Sequence, residues 1–315
     1  MRLYTNNPIS IVSAVTAYSV KLTQIVFVEP NLTNRGINQS ASDKRKFRYR
    51  KKISKIISNY FQLKFTILDW QKFYNIDDKV AVIDSHLLRG QTLNSKNVLF
   101  AASDTYSIFK FSNYKTNLYT KLRLKFYWKK QIKLKKNSQL YLFGYKNKLL
   151  KKKNIHVINK KKLAVNTKLA SELIFKSPEY KIQIDKEKFY MLILPPIAKK
   201  TGEIFSQEFL RFVCEYSATK KLSIILKVHP NDSLNYYTKF SFLNDCLKVP
   251  RDIPSEFLFE LPNIKKILAV PSASLAFASQ KKLTVLVPKN RELFRTCFLD
   301  QLIFLETNKI AIRAI

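Results

Sequence analysis

Short apolar runs that alternate with segments of helical periodicity constrain the fold of this chain more than any other feature. The runs read TQIVFVEP, LKFTIL, KVAVID, NVLFAAS, FYMLILPP, KLSIILKV, IKKILAV and KLTVLVP. Between them, DKRKFRYRKKISKIISNYFQ and GEIFSQEFLRFVCEYSA space their apolar residues along one face of a helix. This alternation is typical of parallel sheets that carry helices on both faces, so we predict an α/β fold.

The alternation occurs twice, which predicts two domains in the 315-residue chain. We expect a Rossmann-like N-terminal domain over residues 1–165, a connector over 166–188 and a Rossmann-like C-terminal domain over 189–315. Two such domains in tandem form a cleft between the carboxyl ends of their sheets, where open α/β folds bind ligands.

The formal net charge of +35 indicates an anionic partner. Nucleic acid, an anionic membrane surface and an anionic substrate all fit this charge. The abundance of Lys, Asn and Ile, with only four Gly, also fits the codon bias of an AT-rich genome. Residues 110–165 interleave lysines with aromatics and could bind RNA by stacking and phosphate contacts, although they match no recognised RNA-binding motif.

The cysteines and the apolar segments predict where the protein resides. Cys214, Cys246 and Cys297 are widely spaced and form no metal-ligand pattern, as expected for thiols in a reducing compartment. The N-terminal segment lacks the apolar core of a secretory signal, and no stretch approaches the roughly 18 apolar residues that span a bilayer. We therefore expect a cytoplasmic protein, with peripheral contact to the inner membrane as an option.

The stretch ILKVHPND, residues 225–232, places a histidine directly after a predicted strand. His229 should lie at the carboxyl end of that strand, where open α/β sheets present functional groups. Pro230 stiffens the exit from the strand, and Lys227 adds charge to what we expect to be a basic mouth. An imidazole there could stabilise a departing phosphate, although its position alone is more typical of a histidine in a surface loop.

Two further segments supply polar side chains after predicted strands or at predicted helix starts. Ser272 and Ser274 open the helix predicted in AVPSASLAFAS, where backbone N–H groups and the helix dipole could hold an anion. Glu256 lies in the first turn of the helix predicted in IPSEFLFEL and could accept two ribose hydroxyls. Ordinary helix capping also explains each of these residues.

Asp104 is the candidate general base of the N-terminal domain. It follows the predicted strand NVLFAAS and should face the cleft, although a turn or capping aspartate would occupy the same position. Asp77 and Asp78 precede a predicted strand and should therefore lie at the opposite end of the sheet. The sequence contains no DxD triplet, GxGxxG or P-loop, so we expect neither a metal ion nor a glycine-rich phosphate loop.

The ordered series ILKVHP, IPSEFLFEL and ILAVPSASLAFAS resembles the C-terminal domain of bacterial sialyltransferases of the GT-B kind. These are the lipooligosaccharide sialyltransferase and polysialyltransferase families, which carry an HP motif and a later serine-rich motif. LYTNNPISIVSAVTAY is similar to their opening strand, loop and helix. KVAVIDSHLLRGQTLNSKNVLFAASDTYSIFKFSNY is similar to the segment with their Asp-Asp-Gly motif, but here only Asp104 matches, and Ala273 splits the serine pair.

The resemblance implies a GT-B fold, in which two Rossmann-like domains face each other across a cleft. It implies inverting, metal-independent transfer of sialic acid, or a related nonulosonic acid, from a CMP-sugar to a cell-surface glycan or glycolipid. Asp104 would accept the proton of the acceptor hydroxyl, and His229 would stabilise the CMP phosphate. The remaining donor-binding residues would be Lys227, Pro230, Glu256 on the ribose, and Ser272 and Ser274 on the phosphate or sugar carboxylate.

Three alternatives stay open on the sequence. Another GT-B transferase of surface polymers, such as a polyol-phosphate polymerase, would also carry HP-type motifs. A basic nucleic-acid-binding protein would use residues 110–165. A member of the sialyltransferase families with an inactive site would tolerate loss of Asp104 and His229.

Overall fold

The computed structural model divides into two compact units, Met1–Ala170 and Ser171–Ile315. The division lies inside the predicted connector 166–188, which is helical up to Lys176. The structure describes residues 1–18, 21–29, 41–73, 80–84, 97–101, 139–143, 155–197, 201–229, 232, 234–251, 253–289 and 310–315.

Unit 1 is a parallel α/β unit with a seven-stranded sheet in the order β3-β2-β1-β4-β5-β6-β7. The strands are β1 (Arg2–Thr5), β2 (Gln24–Glu29), β3 (Lys64–Asp69), β4 (Val80–Asp84), β5 (Asn97–Ala101), β6 (Gln139–Phe143) and β7 (Ile155–Ile158). The helices described here are α1 (Pro8–Tyr18), α2 (Ala41–Tyr60), α3 (Trp70–Phe73) and the first part of α4 (Lys160–Lys176).

Local sequence explains why α1 begins at Pro8. Proline suits the first turn of a helix because its missing N–H has no partner there in any case. The Asn7 side chain accepts a hydrogen bond from the Ile9 N–H at 3.4 Å, and Thr5 Oγ1 accepts one from the Asn7 N–H at 2.9 Å. Helix α1 is buried along almost its whole length, as expected for a helix with so few polar residues.

Unit 2 repeats the same architecture with a six-stranded parallel sheet in the order β10-β9-β8-β11-β12-β13. The strands are β8 (Tyr190–Leu194), β9 (Ser223–Leu226), β10 (Leu247–Lys248), β11 (Ile264–Ala269), β12 (Leu283–Val287) and β13 (Ala311–Ala314). The helices are the end of α4, α5 (Glu203–Lys220) and α6 (Leu234–Tyr237), with 3-10 turns at Pro178–Tyr180, Ser241–Leu243, Ser255–Leu258 and Ala273–Phe277.

The core of unit 2 forms where α5 packs on the sheet. Phe205, Phe209 and Val213 of α5 are buried, and Phe212 and Tyr216 pack against the edge of the same core cluster. The prediction that these five side chains share one helical face is therefore confirmed. Glycine is required at Gly202, directly before α5, because the backbone φ there is +86°.

The structure confirms the predicted α/β class, and every strand pairing it describes is parallel. Both sheets place the first strand of the unit inside the order, with later strands added on each side, which is the Rossmann-like arrangement. Within the described residues, no helix combines the length and apolarity required to cross a membrane.

The prediction of two α-helices near the candidate site is wrong. Residues 255–258 and 273–277 each form a short 3-10 turn and not an α-helix. Pro262 disfavours helical backbone at the residue before it, which limits the first turn. The second turn must return the chain to β12 at Leu283, and Ala278 is already extended.

We predict that Phe209→Ala lowers the free energy of unfolding by about 3–5 kcal/mol, because it leaves a cavity in the core. Ile204→Ala, on the same helix but at a side chain that is 76% exposed, should change it by less than about 0.5 kcal/mol. Urea unfolding followed by circular dichroism measures both variants. Equal losses would contradict the assignment of the buried face.

Candidate functional site

The topological switch point of unit 2 lies between β8 and β11. The chain goes from β8 to its neighbour β9 on one side and from β11 to its neighbour β12 on the other, so the loops that leave β8 and β11 diverge. Open α/β sheets bind ligands in the crevice that this divergence leaves at the carboxyl ends of the strands. Here the Val270 N–H donates to the Leu194 carbonyl at 3.3 Å, which keeps the two chains paired to the point of exit.

Ser272 and Ser274 lie on the β11 side of this switch point. Their hydroxyl oxygens are 3.1 Å apart and share a hydrogen bond. Ser272 is in an extended conformation directly before the 273–277 turn, and its side chain makes no capping hydrogen bond. The capping explanation for Ser272 is therefore not supported, but the predicted α-helix dipole is also absent. Any anion held here would contact the hydroxyls and nearby backbone N–H groups.

Glu256 lies in the 255–258 turn, which packs against the 273–277 turn. The two turns bring Glu256 and the serine pair into the same region of unit 2. Ser171 of α4 donates a hydrogen bond to the Phe257 carbonyl and anchors this region. The Glu256 carboxylate is half-buried and accepts a long hydrogen bond of 3.4 Å from Ser255.

Lys227 lies directly after β9. The prediction that it contributes to a basic mouth of the site is wrong, because its side chain is buried. It is only 4% exposed, and its ammonium donates to the carbonyl oxygens of Val228 at 2.8 Å and Arg251 at 2.9 Å. A buried ammonium requires such partners. Lys227 therefore ties the loop after β9 to the loop after β10.

His229 is exposed at the carboxyl end of β9, as predicted. Its carbonyl accepts a hydrogen bond from the Asp232 N–H at 2.9 Å, which closes a tight turn after the strand. Arg251 donates to the Asp232 carbonyl at 2.7 Å and holds this turn from the β10 side. The imidazole is therefore carried by a loop that these hydrogen bonds hold in place. The loop follows β9, which is the neighbour of β8 at the switch point.

Hydrogen bonds of Asp232 and Tyr237 also hold the loop that carries His229. The Tyr237 hydroxyl lies 2.8 Å from Asp232 Oδ2 and 3.0 Å from the Pro196 carbonyl oxygen, so its proton is shared between two acceptors. Burial, followed by the bond and charge of Asp232, raises the pKa of Tyr237 well above its ordinary value. Pro196 follows β8, so this contact joins the exits of β8 and β9.

Several predicted residues lie outside the described residues. They are Asp104, Pro230, Asp77, Asp78 and Cys297. Asp104 comes three residues after the end of β5 in the sequence. The predicted roles of Asp104 and Pro230 stay predictions.

Sequence reasoning missed Asp232, Arg251 and Tyr237. Asp232 ends HPND and Arg251 follows a short strand, so position after a strand was an available signal for both. Tyr237 offered none, because its role depends on a carboxylate five residues earlier and a carbonyl from β8.

The arrangement offers hydroxyls, an imidazole and a guanidinium at one edge of a parallel sheet. Within the described residues, no cluster of three or more His, Cys, Asp or Glu side chains could hold a metal ion. No protein-family model matches the chain, and a search of curated protein sequences finds no match. The candidate site therefore rests on the geometry of unit 2 alone.

We predict that Tyr237→Phe lowers the free energy of unfolding by about 1–3 kcal/mol, because it leaves two buried oxygens short of a donor. Tyr60→Phe removes an exposed tyrosine hydroxyl and should change it by less than about 0.5 kcal/mol. Thermal and urea unfolding compare the variants. If both behave alike, the Tyr237 hydroxyl does not brace the loop.

Proposed function

We propose that this protein is an inverting glycosyltransferase that moves sialic acid, or a related nonulosonic acid, from a CMP-sugar to a glycan or glycolipid. One observation carries the proposal: the strand order of unit 2 places His229 after β9 and the Ser272–Ser274 pair after β11, on either side of β8. The motifs that resemble those of the sialyltransferases thus lie at the edge of a sheet where such folds bind nucleotides.

The donor would bind to unit 2 through its anionic groups. Ser272 and Ser274 would donate hydrogen bonds to the phosphate or the sugar carboxylate, which are strengthened by the charge of the acceptor. Glu256, on the adjoining turn, would accept hydrogen bonds from the cytidine ribose. The buried Lys227 would act indirectly, by holding the loop that carries His229.

The reaction would be a single displacement at the anomeric carbon. The acceptor oxygen attacks that carbon and forms the new glycosidic bond, while the bond to the CMP phosphate oxygen breaks. Asp104 takes the acceptor proton, and His229 donates a hydrogen bond or a proton to the departing phosphate. The proposal requires the GT-B arrangement, in which the carboxyl edges of two Rossmann-like domains face the same substrate.

A metal ion has no necessary part in this chemistry. The leaving group is a monophosphate, whose charge an imidazole, two hydroxyls and backbone N–H groups can meet. We therefore propose a metal-independent enzyme.

A cytoplasmic location is part of the proposal and is supported by the thiols. Cys214 and Cys246 are both free cysteines, as expected in a reducing compartment. Burial is the main cause that raises the pKa of the Cys246 thiol, which makes it less reactive.

We predict that the protein releases CMP from CMP-sialic acid in the presence of EDTA, with water replacing the acceptor. His229→Ala should lower kcat/KM by about 100- to 10,000-fold, the usual contribution of acid–base catalysis. Asp104→Asn should lower it too if Asp104 activates the water. His156→Gln, a control within β7, should leave it unchanged. Equal rates of CMP release for His229→Ala and the parent protein would contradict the role of His229, and no release by either protein would indicate an inactive site.

We also predict that CMP stabilises the protein without divalent metal, by about 2.7 kcal/mol when it is present at 100 times its Kd. Replacing both Ser272 and Ser274 by Ala should weaken CMP binding by at least about tenfold, through loss of hydrogen bonds to a charged group. Ser279→Ala, at an exposed serine five residues on, is the control. A protein that ignores CMP but binds RNA with a steep salt dependence would instead be a nucleic-acid-binding protein.

A further inference from the structure

Helix α2 separates its residues into a buried face and an exposed face. Four residues of the buried face have no solvent exposure, namely Ile53, Ser54, Ile57 and Ser58. The exposed face carries Arg48, Lys52 and Lys55, which follow one another at spacings of four and three residues. These three cations, which we name the α2 cationic row, therefore lie above one another on a single face for about 10 Å.

Nearly all the charged residues of α2 are positive. Its 20 residues include eight Lys or Arg and a single acidic residue, Asp43. Like charges at such spacings weaken an isolated helix, so the row is not explained by helix stability. Lys51, at the side of the row, forms an ion pair with Glu29 at 2.7 Å.

The Lys51–Glu29 ion pair also locates the helix along the sheet of unit 1. Glu29 is the last residue of β2, so the middle of α2 lies at the carboxyl end of that strand. A 20-residue helix is about 30 Å long and a six-residue strand about 20 Å. The first half of α2, with most of its cations, therefore extends past the carboxyl edge of the sheet.

We propose that the α2 cationic row docks the protein on the surface of an anionic lipid bilayer. A row of cations on one straight helix matches a planar negative surface, which attracts clustered Lys and Arg. Tyr60 is 43% exposed at the end of the helix and stacks edge-on with Phe61 at 5.0 Å between ring centroids. Tyr60 lies about 120° around the helix from Arg48, so the proposed docking surface is the row itself.

Nucleic acid fits this surface less well than a bilayer does. Proteins that bind single strands without sequence preference place aromatic rings among the cations, where bases stack. The aromatic residues next to the α2 cationic row, Phe47 and Tyr49, lie about 100° around the helix to either side of Arg48, and Tyr60 lies at the helix terminus, beyond the last cation.

Docking through α2 would bring the carboxyl edge of the unit 1 sheet close to the lipid. This consequence rests on the proposed function, because it would place unit 1, whose Asp104 would accept the proton of the acceptor, next to a glycolipid. The docking itself needs no activity, so it can be tested without donor or acceptor.

The test is sedimentation of the full chain with vesicles of phosphatidylcholine alone or with 30% phosphatidylglycerol, a composition we choose as roughly that of an anionic membrane. We expect binding only to the anionic vesicles, and weaker binding as salt rises. Arg48→Gln, Lys52→Gln and Lys55→Gln together should lower the partition coefficient about 100-fold, from the loss of three surface cations.

The matched control replaces three exposed lysines of α4, Lys161, Lys162 and Lys168, by Gln. It removes the same charge and should lower the partition coefficient by less than about fivefold, the effect of one well-placed cation. Circular dichroism checks that both variants fold. Equal losses in the two variants, or no binding to anionic vesicles, would overturn the proposal. Preferential capture by poly(U) RNA when vesicles are present would overturn it as well.

Donor hydrolysis separates this inference from the proposed function. The triple variant of α2 should release CMP from soluble CMP-sialic acid at the parent rate, since the row contacts the lipid and not the donor. Loss of hydrolysis in the α2 variant alone would mean that the row serves the donor, which would overturn the docking role.

Discussion

The parallel pairing of β8 with β9 on one side and β11 on the other is the constraint on which unit 2 depends. Tyr190 pairs with Ser223 in one direction and with Ile264 in the other, and the register continues to Ile193 and Leu194. Parallel strands require crossovers, so all six carboxyl ends meet at one edge. Each candidate residue described in unit 2 lies at that edge because it follows a strand that ends there or belongs to the turn after such a strand.

Side chains that bond to the backbone connect the loops at this edge to one another. Lys227 donates to Val228 and Arg251, Arg251 donates to Asp232, and the Tyr237 hydroxyl joins Asp232 to Pro196. Such a connected polar network is favourable only when its members are satisfied, and it then fixes one loop conformation. An exposed imidazole on a loop of this kind can be oriented without being buried, which is what preorganised sites require.

The large positive charge of the chain serves several physical roles, which no single partner explains. Lys227 is an internal tether, Lys51 pairs with Glu29, and Lys265 lies 4.2 Å from the centre of the Phe189 ring. Burial lowers the pKa of Lys266, so part of the charge is even disfavoured by its surroundings. Among the described lysines and arginines, the exposed row on α2 stands apart because its members follow one another on one face.

The sequence by itself determined the α/β class, most of the central strands and the helices α2 and α5, because burial of apolar side chains at periods of two and 3.6 residues is a local property of the chain. It also placed His229, Ser272 and Ser274 after strands. It did not identify β6, β7, β10, β13 or the helix α4, part of which was expected to be a connector. Only the tertiary structure decided the strand order that puts β8 between them, the burial of Lys227 and the shared proton of Tyr237. These depend on partners far apart in the chain, such as Lys227 with Arg251, and no local pattern encodes which buried carbonyl a side chain will meet.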